Sequence, residues 1–229
     1  MVRSPNVTSA DCPAFQVFAF ETGDSAAFDA GDGLVVRLRA PAVRGTGAVL
    51  LREAAEPGKS SSELEEVTAP FVLDFPVETY ARPLQISFTS GPAAGLFRWE
   101  GKAGWRCVGV PEREGGAIEV RGPGIYSIFR DSTAPVMKRL GFSRRGEGSG
   151  FYKRKLYYVP IHERGSGVDA ESAAAFLNGT RVVCEYDGYR ARLAIPIPQT
   201  YPAGPARLRV ELSDRAGNRG AGEFGFVIE

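Results

Sequence analysis

The sequence predicts an all-β protein built from two β-sandwich domains. Three observations predict this. Short apolar runs recur along the 229 residues, each bounded by Gly, Pro, Asn or Asp, the residues that supply turn geometry. Within the run Gly33-Leu34-Val35-Val36-Arg37-Leu38-Arg39 apolar and charged residues alternate, because successive side chains of a strand point to opposite faces. Finally, 28 glycines and 16 prolines suit a chain of many turns better than one of long helices.

Residues 1–24 form an irregular lead-in with one strand, Phe15–Phe20. The first sandwich is expected over 25–134, with strands at 33–39, 48–51, 71–75 and 84–88. The polar, acidic segment 59–66 lacks the apolar stripe of a stable helix and is expected to be a surface loop, with at most one helical turn. Residues 95–108 hold two aromatic strands around a Gly-bearing turn, a hairpin signal. A last hairpin is expected from 117–120 and 124–130. Asp131-Ser132-Thr133-Ala134-Pro135 then breaks the pattern, since Pro cannot continue a ladder, and marks the boundary. The second domain, 135–229, is expected to have strands at 155–161, 173–177, 181–186, 190–195, 207–212 and 222–228. Asn178-Gly179 is the strongest hairpin signal, because a type I′ turn needs φ > 0 at both central residues. The stretch from Pro196 to Pro205 holds four prolines and is predicted to be a loop.

Composition narrows the function classes. A 43% hydrophobic chain with net charge +1 can bury cores and exerts no global pull on nucleic acid or membrane. No apolar run reaches the roughly 18 residues of a membrane span, and the first twenty residues lack the pattern of a signal peptide. Cys12, Cys107 and Cys184 are too few and too odd in number for a disulfide framework, and Cys107 and Cys184 read as small buried hydrophobes. No catalytic motif stands out. His162 precedes Glu163, but neighbours in a strand face opposite ways, so Glu163 is poorly placed to orient it.

The turn motifs resemble those of tandem immunoglobulin-like β-sandwich regions in bacterial cell-envelope proteins. The residues concerned are Gly124-Ile125-Tyr126-Ser127-Ile128-Phe129-Arg130-Asp131 followed by Ser132-Thr133-Ala134-Pro135, then Gly165-Ser166-Gly167-Val168-Asp169, Leu177-Asn178-Gly179 and Asp214-Arg215-Ala216-Gly217-Asn218. Their order looks like the C-terminal accessory region of lysostaphin-type zinc peptidoglycan endopeptidases. The resemblance implies that the second domain is immunoglobulin-like and that the chain is a non-catalytic module that spaces or docks a larger protein, a peptidoglycan hydrolase, in the periplasm or outside the cell; the alternatives are a carbohydrate- or wall-polymer-binding module and an adhesin-like structural spacer. It also implies that the catalytic domain is absent. Such enzymes hold zinc through several His and an Asp, and one His is present here, so no zinc set can be assembled and no cofactor is expected.

Three sets of residues are candidates for binding, each with a plainer structural account. Phe97, Trp99 and Trp105 form the densest aromatic cluster and would stack on sugar rings if exposed; if buried they are core. Lys138, Arg139, Arg144, Arg145, Lys153, Arg154 and Lys155 surround a glycine-rich stretch and would meet a polyanion such as a wall polymer; the alternative is a solvated loop. If the strands run up and down in order, Asp169, Asp187 and Asp214 fall at one end of the second sandwich. With Asn218 they would offer oxygens to Ca²⁺, which takes about six to eight. Asp residues that form turns explain the same positions without a metal.

Overall fold

The computed structural model describes residues 15–29, 35–44, 47–54, 63–91, 93–143, 155–197 and 201–228. The chain divides into two compact units, Met1–Ser132 and Thr133–Glu229, and is all-β.

The first unit contains β1 (Phe15–Phe20), β2 (Ser25–Asp29), β3 (Val35–Arg39), β4 (Gly47–Glu53), β5 (Leu64–Glu66), β6 (Phe71–Asp74), β7 (Leu84–Phe88), β8 (Ala94–Trp99), β9 (Trp105–Gly109), β10 (Ala117–Val120) and β11 (Gly124–Asp131). One sheet runs β1-β4-β6-β11-β8-β9, with β5 added against β11; the other runs β10-β7-β3-β2. The alternation in β3 sends Val36 and Leu38 inward and leaves Arg37 and Arg39 outside. Their inward side chains meet Leu73, Leu84, Ile86, Leu96 and Ile128, all fully buried, in one core between the sheets. A second, smaller cluster of Leu64, Phe97, Trp105 and Phe129 is buried apart from it.

The second unit contains β12 (Val136–Met137), β13 (Gly141–Ser143), β14 (Lys155–His162), β15 (Val168–Leu177), β16 (Thr180–Val182), β17 (Glu185–Asp187), β18 (Arg192–Ile197), β19 (Gly204–Asp214) and β20 (Arg219–Ile228). Its sheets run β12-β14-β18-β17, with β13 on β14, and β16-β15-β19-β20. Val159, Ala175, Leu177, Leu193, Ile195, Leu208 and Val210 fill the core. Asn178 and Gly179 take φ of 48° and 83°, the left-handed geometry expected of the hairpin turn that pairs Leu177 with Thr180. Asn178 is also tied to the neighbouring strand, its Oδ1 accepting from the Arg207 N–H at 2.8 Å.

Four local expectations are corrected. Residues 117–120 and 124–130 form no hairpin: β10 pairs with β7 and β11 with β8 and β6, in different sheets. The connection contains Pro123, which has no N–H to give a ladder, and the chain there crosses between sheets. The acidic segment is not all loop, because Leu64 is buried in the aromatic cluster and Glu65 stands opposite Arg130, accepting its hydrogen bond at 3.2 Å. The run 181–186 splits into β16 and β17, which belong to different sheets. The 196–205 loop is shorter than expected, since Pro196 lies in β18 and Pro205 in β19. Pro196 is tolerated because β17 pairs β18 only over Arg192 to Ala194, so the ring lies beyond the end of that neighbour.

Candidate functional site

The β8–β9 ribbon builds the site. Along β8, Ala94 and Leu96 face the main core, and the same alternation puts Arg98 on that face. Arg98 stands directly opposite Arg106 of β9, a like-charge cross-strand pair that disfavours the ladder locally. Between Leu96 and Phe97 the register shifts, which places a β-bulge in β9 beside the pair; bulges re-aim side chains at sheet edges. β9 ends its sheet and β10 ends the other. Between these two edges lies a cleft of about 510 Å³ whose wall includes Arg98, Arg106, Arg121, Glu100, Glu119 and Tyr126.

The charges in the cleft are unevenly matched. Arg106 pairs with Glu100 at 3.1 Å and Arg121 with Glu119 at 3.5 Å. Both pairs are substantially exposed and therefore weak. Arg98 is half-buried, and its Nη2 donates to the Pro123 carbonyl at 2.7 Å. Its Nε is buried without a hydrogen-bond partner among the described residues. A Cβ at Gly124 would lie 2.7 Å from that Nε, so glycine makes the space the guanidinium occupies. Among the described residues no carboxylate forms an ion pair with Arg98. The Tyr126 hydroxyl donates to the Gly122 carbonyl at 2.5 Å. Burial raises the Tyr126 pKa, and the nearby Arg98 charge works against that rise. A more apolar groove of about 430 Å³, walled by Phe75, Val77, Tyr80, Pro83 and Leu84, shares Glu119 and Arg121 with the cleft.

No protein-family model matches the chain, and no curated protein matches it in sequence.

The aromatic candidates lie on the other face of the same ribbon. Phe97 is 0% and Trp105 9% exposed, and both pack edge-on against Phe129 with ring centroids 5.3 and 5.0 Å apart. Trp99 is half-buried and meets Trp105 at 5.5 Å, 65° between planes. These rings are spent on one another, and Phe97 and Trp105 offer no open face for a sugar. Of the basic candidates, Lys138 and Arg139 are exposed, just after β12. Arg144, Arg145, Lys153 and Arg154 lie outside the described residues, as does the Lys155 side chain; so does Cys12. Cys107 and Cys184 are half-buried thiols, and burial raises the Cys184 pKa against the pull of Arg181.

The acidic candidates are not gathered into one site. Val168 stands opposite Asp214 and Asp169 opposite Ser213, so Asp169 and Asp214 project from opposite faces of their sheet. Asp187 sits in the other sheet, where its Oδ2 takes the Arg192 Nε at 3.2 Å and lies 3.6 Å from Arg190. Desolvation tends to raise the Asp187 pKa, but the Arg190 N–H and the Arg192 and Arg190 charges outweigh it and hold the carboxyl below its usual range. Asp214 is buried and accepts from both the backbone N–H and the Nδ2 of Asn218, each at 2.8 Å. Asp169 Oδ1 accepts from the Glu171 N–H at 3.1 Å. Beside His162, the Glu163 Oε1 accepts from the Gly165 N–H at 2.6 Å and the Gly167 N–H at 3.4 Å.

Proposed function

We propose that this chain is a non-catalytic accessory module of the cell envelope, two β-sandwich units that space or dock a larger protein, a peptidoglycan hydrolase of the lysostaphin type. One observation carries the reading. The carboxylates that sequence nominated for chemistry, Glu163, Asp169, Asp187, Asp214, are engaged by turn N–H groups, Asn218 or arginines that shape the second sandwich. Side chains used in this way build a frame. The envelope setting rests on the likeness of the turn motifs alone, since a sandwich hosts many functions.

Isolated bacterial cell wall, incubated with the purified chain at low and at physiological salt, tests the proposal. Co-sedimentation without release of soluble wall fragments is the docking outcome. Neither co-sedimentation nor release restricts the chain to spacing. Release of soluble fragments in proportion to protein concentration overturns the non-catalytic reading.

A further inference from the structure

The arginine cleft of the first unit answers to no part of a spacing role. Arg98 continues the inward face of Ala94 and Leu96. An arginine on such a face has to be compensated, because a cation withdrawn from water without a counter-charge is costly. The two glutamates of the cleft are engaged by Arg106 and Arg121, and among the described residues Arg98 holds only the Pro123 carbonyl. Three guanidinium groups against two carboxylates leave one positive charge in the cleft wall.

We propose that this cleft binds an oxyanion group, a carboxylate or a phosphate, with Arg98 as the principal donor and Arg106 and Arg121 as flanking cations. A guanidinium presents its N–H groups in a planar fork that matches both oxyanions. A bound anion would neutralise Arg98 and relieve its opposition to Arg106 across the strand pair. Arg106 and Arg121, 68% and 82% exposed, can turn from their weakly held glutamates toward such a ligand. The volume of about 510 Å³ lies within the roughly 300–1,000 Å³ typical of ligand sites. The adjoining apolar groove gives room for the body that carries the anion. The inference stands apart from the accessory-module reading, and either can fail alone.

The test is an NMR titration of the full chain, following backbone amides of residues 98, 106 and 121 and arginine Nε–H signals. Sodium acetate, inorganic phosphate and chloride are the probes, at constant ionic strength. The expected result is a saturable shift with acetate or phosphate at Kd near about 1 mM, and none with chloride. The better of the two oxyanions identifies the group as carboxylate or phosphate. Arg98→Gln should weaken binding at least about tenfold, and Arg98→Lys, which keeps the charge and loses the fork, should fall between. Should Arg98→Gln fail to fold, Arg106→Gln and Arg121→Gln, at exposed positions, are each expected to weaken binding by a smaller factor. Shifts that do not saturate, that chloride reproduces, or that survive these substitutions unchanged would overturn the proposal.

Discussion

On one face of the β8–β9 ribbon Phe97, Trp99, Trp105 and Cys107 pack around Phe129. On the other, Arg98 and Arg106 stand opposite one another at the wall of a cleft. Neighbouring residues of a single strand thus meet opposite fates. The aromatic face closes on itself, ring edge against ring face, and adds a small hydrophobic cluster to the sandwich. The arginine face begins as core at Ala94 and Leu96 and loses its cover where the two sheets end at β9 and β10. Tryptophans draw attention as a binding platform, yet Trp105 is buried and Trp99 half-buried against it, while one residue away lies Arg98, which has no carboxylate partner among the described residues.

The largest expected effect tests the aromatic face. Phe97→Ala should cost about 3–5 kcal/mol, the range for truncating a buried aromatic, seen as a lower urea midpoint. Anion shifts at Arg98 should persist in whatever fraction stays folded. A loss below about 1 kcal/mol would mean that the cluster is not a core. Tyr126→Phe follows. It removes the hydroxyl that donates to Gly122 and should cost about 0.5–1.5 kcal/mol, again in urea. Arg98→Met should change stability by no more than about 1 kcal/mol, and in the stabilising direction if desolvation dominates, while abolishing the anion response.

Arg192 sharpens the contrast, because it is an arginine whose charge is met. It pairs with Asp187 at 3.2 Å and lies 3.7 Å from the Tyr158 ring centroid. The depressed Asp187 carboxyl contributes stability above its unfolded pKa of about 3.9, and that contribution is lost as pH falls through the lower folded value. Asp187→Asn should therefore lower stability slightly at neutral pH and flatten the acid limb of the profile, the two proteins converging below about pH 4. Denaturation midpoints measured across that range give the answer, and an unaltered acid limb would show the pair to be idle. The effect is the smallest of the set, since the Asp187 carboxylate is only half-buried.

Much of the fold was legible because period and turn chemistry are local. The alternation of Val36 and Leu38 with arginines marks β3, and Asn178-Gly179 marks its hairpin, since both depend on neighbours in sequence. What stayed hidden depends on distant partners. Leu64 looks like part of an acidic loop until Phe129 and Trp105 are placed beside it. Val183, 70% exposed, falls where the chain changes sheets, and no periodicity announces such a crossing. The cleft was illegible for the same reason. Arg98 and Arg106 can be matched from the hairpin, but Arg121 and Glu119 reach the site only through the pairing of β10 with β7. The acidic candidates misled through their direction: Asp169 and Asp214 are brought near by the β15–β19 register and turned apart by it.

The central claim, that the arginine face receives a ligand while the aromatic face holds the fold, is tested most directly by thermal unfolding against phosphate concentration. Wild type and Arg98→Gln would be compared at matched ionic strength. A ligand that binds only the folded state stabilises it by RT ln(1 + [L]/Kd), whereas general salting effects of phosphate act on both proteins alike. The account predicts a Tm that climbs more steeply in the wild type than in Arg98→Gln. Parallel curves would contradict it.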